Sequence, residues 1–159
     1  MTAALIESRV RHLLTLMGFS DLPINCTWHT GAAPSPVRQQ LTIAITAGAA
    51  GRLLIGTRGT HLQALQHIVR ALLKRALPES PLVTVDVNSY WSSREQTLLR
   101  LAEEAARKAG HTGQAIVLPP MAAGERRTIH TSLAARPDVN TASLGTEPNR
   151  RVVVRPVFT

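Results

Sequence analysis

Two glycines set three apart, Gly56 and Gly59, interrupt an apolar run and stand directly before a helical repeat in LLIGTRGTHLQALQHIVRALLKR, residues 53–75. Glycine enters left-handed backbone without a Cβ penalty and lets a ligand come close to the chain. After the pair, Leu62, Leu65, Ile68, Val69, Leu72 and Leu73 mark one face of a helix, and Thr60 with Gln63 offers a capping box for its start. The preceding AAGRLLI reads as a short helical turn. The spacing therefore predicts a tight loop between two helices, a place where backbone N–H groups and a positive dipole end meet an anion. Arg58 adds charge at its mouth. Gly51 and Gly56 have P-loop spacing, but that motif continues with Lys and Ser or Thr, whereas Thr57 and Arg58 follow here. A nucleotide-binding P-loop is set aside.

The flanks complete the element order. Leu5, Ile6, Val10, Leu13, Leu14 and Met17 fall at helical spacing before Gly18. INCTWHT and QLTIAIT alternate as strands around a GAAPSP loop, and PLVTVDV places Val83, Val85 and Val87 in a third strand. Residues 1–87 thus read helix, strand, strand, helix, helix, strand. At Asn88 and Ser89 the pattern changes. A long helix follows, with Ser92 and Glu95 as a second capping box, then the short strand QAIVL, and then a helix in AAGERRTIHTSLAAR with Ile129 and Leu133 turned inward. DVNTASL and RRVVVRP read as two strands joined through GTEPN. The expectation is an α+β chain of two small domains, 1–87 as αββααβ and 88–159 as αβαββ, without a flexible linker.

Charge and residue usage narrow the function classes. The 159 residues carry a formal net charge of +8, and all but two of the basic residues are arginine. A polyanionic partner follows from the excess, and Arg grips phosphate with a planar fork. Aromatics are only 3%, so base-stacking platforms are not the main device. The single cysteine, Cys26, excludes an internal disulfide or a multi-cysteine zinc site. Alternation with Ile24 and Trp28 suggests that it is buried and inert. His61 and His67 lie six apart, off a common helix face, which argues against a metal pair. Neither a Ser/His/Asp constellation nor a close carboxylate pair is visible, so no catalytic activity, metal or cofactor is expected. No apolar run has membrane-spanning length, and the N-terminus carries Glu7, Arg9 and Arg11 where a secretion signal would be apolar. A cytoplasmic location is expected.

In GERRTIHTSL, Arg126 and His130 stand four apart and share a helix face, with Arg127 three before His130. With Ile129 and Leu133 inward, that polar face is expected to be exposed, an Arg and a His ready for a nucleic-acid backbone. A GXXG loop clamping such a backbone is the KH device for single-stranded RNA. LLIGTRGTHLQALQHIV resembles the KH segment of the Jag, or SpoIIIJ-associated, family of bacterial RNA-binding proteins. PPMAAGERRTIHTSL with DVNTASLGTEPNRRVVVRP resembles the family's R-three-H domain, named for an Arg and a His separated by three residues.

The resemblance implies a KH-like domain followed by an R-three-H domain that binds single-stranded nucleic acid, without the family's additional N-terminal domain. It also departs from the family pattern at Ala122, Ala123 and Gly124, ahead of the ERR motif. The implied binding residues are Gly56, Thr57, Arg58 and Gly59 in the loop, and Arg126, Arg127, His130, Arg150 and Arg151 in the second domain. The implied partners are single-stranded RNA, or single-stranded DNA, and a small stand-alone KH protein. The implied function is post-transcriptional regulation or RNA chaperoning tied to cell elongation, division or sporulation. The alternative is a protein-interaction adaptor of the division or envelope machinery whose basic charge is incidental.

Overall fold

The computed structural model describes residues 2–29, 39–74 and 81–157, so the GAAPSP segment lies outside the described residues. The chain divides into two compact units, Met1–Tyr90 and Trp91–Thr159.

The first unit runs α1 (Ala3–Leu16), β1 (Ile24–His29), β2 (Gln40–Ile45), α2 (Gly51–Ile55), α3 (Thr60–Lys74) and β3 (Leu82–Val87). The sheet order is β1-β2-β3, with β1 antiparallel and β3 parallel to β2. Leu41, Ile43 and Ile45 alternate inward from the central strand and are joined by Val83, Val85 and Val87. Against them pack Ile6, Val10 and Leu14 of α1 and Leu62, Leu65, Val69 and Leu73 of α3. Each fully buried aliphatic side chain contributes about 1.5–3 kcal/mol, which fixes these helices on the sheet. The buried stripes are narrower than the sequence pattern: Leu5, Met17, Ile68 and Leu72 stay exposed. In β1 only Ile24 is buried, while Cys26 and Trp28 are half-buried. Burial, and to a lesser degree Glu7, pushes the Cys26 thiol above its ordinary range.

Two side chains of α3 reach the outer edge of β3. Gln66 Oε1 accepts from the Val85 amide at 3.1 Å, and Arg70 Nε donates to the Val83 carbonyl at 2.7 Å. These satisfy ladder groups that an edge strand would otherwise leave for another chain.

The second unit comprises α4 (Tyr90–Thr112) from Trp91 onward, β4 (Ile116–Val117), α5 (Ala123–Leu133), β5 (Val139–Leu144) and β6 (Arg151–Pro156). Its sheet is antiparallel in the order β4-β6-β5. One face packs under the helices: Val139, Val152 and Val154 meet Leu98, Ala102, Ala105, Ala106 and Ala109 of α4 and Ile129 and Leu133 of α5. The α4 contribution to this core is made chiefly by small alanine side chains.

Neither expected capping box forms. Thr60 is already helical, with φ −61° and ψ −43°, and Ser92 lies inside α4. An N-cap residue needs extended backbone, so neither hydroxyl is placed to cap. The box that does operate is partial: at α5 the Glu125 carboxylate accepts from the Ala122 amide at 3.1 Å, and its other oxygen holds Arg94 at 2.7 Å.

Candidate nucleic-acid interface

The loop between α2 and α3 has the backbone that its glycines predict. Gly56 and Gly59 have φ of 69° and 79°, and Arg58 between them is also left-handed at 55°. Both glycines are required twice over. A Cβ on Gly56 would stand 2.5 Å from the His61 ring, and one on Gly59 would stand 2.8 Å from the Tyr90 ring. The loop is a single 3-10 turn running directly into α3, and its tip residues, Thr57 and Arg58, are exposed.

An arginine in left-handed backbone costs about 1–2 kcal/mol relative to right-handed. Such a conformation persists only when the surroundings impose it, and it is a reason to look for function there. The surroundings are Gly59 closing onto Tyr90 on one side and the end of α2 on the other. His61 Nδ1 lies 2.7 Å from the Leu53 carbonyl, satisfying one of the acceptors that a helix end leaves open.

Asn88 anchors the turn that precedes α2. Its Oδ1 accepts from the Ala47 amide at 2.8 Å and its Nδ2 donates to the Gly48 carbonyl at 3.0 Å, tying the end of β3 to the turn that launches α2. Asn88 and Ser89 are both left-handed. Gly51 lies against the Asn88 amide, where a Cβ would collide. Gly51 is thus a close-packing residue, and the apparent P-loop spacing has a structural cause. Sequence reading saw at Asn88 only a change of pattern. An Asn flanked by two elements and able to adopt left-handed backbone was the available signal.

In the second unit the Arg126–His130 pair is placed differently from expectation. Arg126 is only 6% exposed. Its Nη1 donates to the Met121 carbonyl at 2.7 Å, and its Nη2 pairs with Glu147 at 2.8 Å. The expected exposed face is corrected at this residue, and the reason is helical spacing. Arg126 lies three before Ile129 and seven before Leu133, so it belongs to the inward stripe of α5. His130 is half-buried, with Nδ1 2.7 Å from Thr141 Oγ1 and Nε2 2.8 Å from Ser143 Oγ. Both partners lie on β5. Hydroxyls rotate to donate or accept, so either ring nitrogen can carry the proton.

The pair therefore sews α5 to the β5–β6 hairpin. Met121 extends the stitch, since its amide donates to the Arg150 carbonyl at 3.2 Å while its carbonyl takes Arg126. Arg127 and Arg150 are exposed, and Arg151 is half-buried with Nε donating to the Asn149 carbonyl at 3.2 Å. Val152 and Val154 point into the core, so alternation puts Arg151 and Arg155 together on the opposite sheet face. Arg155 is an exposed cation that the sequence reading did not nominate, although the alternation in RVVVR contained it.

Among the described residues no group of His, Cys, Asp and Glu could hold a metal, and no helix is long and apolar enough to cross a membrane.

Residues 96–156 match the R-three-H domain family, so the second unit is an R-three-H domain, a helix-backed sheet carrying the Arg–His stitch. The chain is moreover a homologue of bacterial proteins named RNA-binding protein KhpB. It is 40% identical over 102 residues to that of Lactiplantibacillus plantarum, covering 64% of this chain and 32% of the relative. It is 37% identical over 109 residues to that of Bacillus subtilis, covering 67% of this chain and 52% of the relative. For Streptococcus pneumoniae the figures are 32% over 117 residues, 74% and 35%. The chain thus spans between about a third and a half of the length of the relatives it matches.

Proposed function

We propose that this chain is a non-catalytic single-stranded RNA-binding protein, with residues 1–87 acting as a KH-like domain and residues 88–159 as an R-three-H domain. The observation that carries the reading is the left-handed Gly56–Thr57–Arg58–Gly59 turn. It is set between two helices in a helix, strand, strand, helix, helix, strand order, and presents Thr57 and Arg58 to solvent. The KhpB name of its homologues, the R-three-H domain and the net charge of +8 support it.

In this reading the loop grips a phosphate of the strand, and the exposed Leu53 beside it offers an apolar contact for a splayed base. In the second domain Arg127 of α5 and Arg150 and Arg151 of the hairpin meet phosphate, while Arg126 and His130 hold that hairpin against α5. A cytoplasmic RNA chaperone or post-transcriptional regulator, serving elongation, division or sporulation and working with a stand-alone KH protein, fits this assignment. Competition between single-stranded and duplex RNA tests it. The single strand should win, because an A-form duplex hides its base edges; equal or stronger duplex binding overturns the reading.

A protein-adaptor reading is favoured by one feature, an apolar groove of about 570 Å³ lined by Leu13, Leu16 and Leu72 with Arg9 and His12. RNA affinity that is absent at low salt would put the adaptor ahead.

A further inference from the structure

His61 was of interest in the sequence only as half of an improbable metal pair, but the structure gives it a defined chemistry. Its side chain is exposed at the mouth of the Gly56–Gly59 loop and its ring lies on Gly56. The Nδ1 is 2.7 Å from the Leu53 carbonyl. A carbonyl oxygen only accepts, so Nδ1 carries the proton and donates. In the neutral ring Nε2 is therefore an acceptor, and among the described residues it has no partner. The orientation is imposed by the end of α2, so the lone pair is held in place before any ligand arrives.

If the loop clamps a strand, the exposed ring stands beside the gripped sugar–phosphate backbone. Phosphate oxygens carry no proton to give. The donor on that backbone is the ribose 2′-hydroxyl, which DNA lacks. We propose that His61 is an RNA-contacting residue whose Nε2 accepts a hydrogen bond from a ribose 2′-hydroxyl, and that it biases the loop toward RNA over DNA of the same sequence. The proposal rests on the loop acting as a clamp on nucleic-acid backbone.

The test uses the full chain and a fluorescent single strand made as RNA and as DNA, titrated in the same mildly alkaline buffer. His61→Asn keeps a donor near the Nδ1 position for Leu53 and, being shorter, leaves no acceptor at the Nε2 position. Its RNA affinity should fall about two- to tenfold, the size of one neutral hydrogen bond, with DNA affinity unchanged. His61→Gln places an amide oxygen near the Nε2 position and should recover part of the RNA preference. Equal losses for RNA and DNA in His61→Asn, or no loss for either, overturn the proposal. The paired Thr57→Asp and Arg58→Asp variant separates the two levels. If it binds both strands as wild type does, the clamp itself is wrong; if it loses both while His61→Asn keeps the RNA preference, only the His61 role falls.

Discussion

Arg126 and Glu147 form a 2.8 Å ion pair in which the guanidinium is almost fully buried and the carboxylate is largely exposed. The burial cost of the cation is offset by a second bond, from Nη1 to the Met121 carbonyl. A charge so committed has little left for phosphate, and what it does instead is hold the hairpin turn against α5.

Arg126 and Arg127 are therefore expected to separate cleanly on substitution. Arg126→Ala strands the Met121 carbonyl and removes buried packing, and should cost about 2 kcal/mol of stability of the second domain. Arg127→Ala should leave thermal unfolding within about 0.5 kcal/mol while lowering the slope of log K against log salt by about 0.7, one phosphate contact on a single strand. Thermal melts and salt titrations of both variants decide this. A salt slope that changes with Arg126 in an intact fold would return that residue to the interface.

Acid stability should depend on Asp138. Hydrogen bonds from Arg136 hold its carboxyl below the usual carboxylate range. Arg136 is in turn raised above its own range by hydrogen bonds to Asp138 and then Glu103, and stays charged throughout. A depressed carboxylate adds stability above its unfolded value of about 3.9, and that stability is lost as pH falls through the lower folded value. Asp138→Asn should therefore unfold at a lower temperature than wild type near neutrality, with the gap closing under strong acid. Parallel melting curves from neutral pH into acid would show that the cluster linking α4 to the start of β5 carries no net stability.

Arg58 is a non-glycine residue in left-handed backbone, a conformation that Asn tolerates far better. Arg58→Asn should keep or raise the melting temperature of the first domain while weakening single-stranded RNA binding. A drop in stability with unchanged RNA affinity would make Arg58 a structural residue of the loop.

How much of this was legible in the sequence differs between the two sites. The GXXG loop was readable because local backbone chemistry decides it: Gly56 and Gly59 occupy the left-handed positions that glycine signals. The strands were readable from alternation at Leu41, Ile43 and Ile45 and at Val83, Val85 and Val87. The Arg–His pair misled because polarity was allowed to outweigh spacing. Arg126 sits in the same stripe as Ile129 and Leu133, and its burial depends on Glu147, a partner 21 residues away. Thr60 and Ser92 misled because a capping motif says nothing about where the preceding backbone turns helical. Asn88 carried only the local signal of an Asn between two elements, and the partners that give it and His61 their contacts, Ala47, Gly48 and Leu53, are set by the fold.

The central claim is that the Gly56–Gly59 loop receives the nucleic-acid backbone, and the most direct measurement is single-stranded RNA affinity of the Thr57→Asp, Arg58→Asp variant beside wild type. Asp accepts left-handed backbone and both side chains are exposed, so circular dichroism and the melting temperature should be preserved. Affinity at roughly 0.1 M salt should fall about tenfold or more, as attraction at the loop is replaced by repulsion. A folded variant that binds RNA as tightly as wild type, with the same salt slope, would contradict the claim.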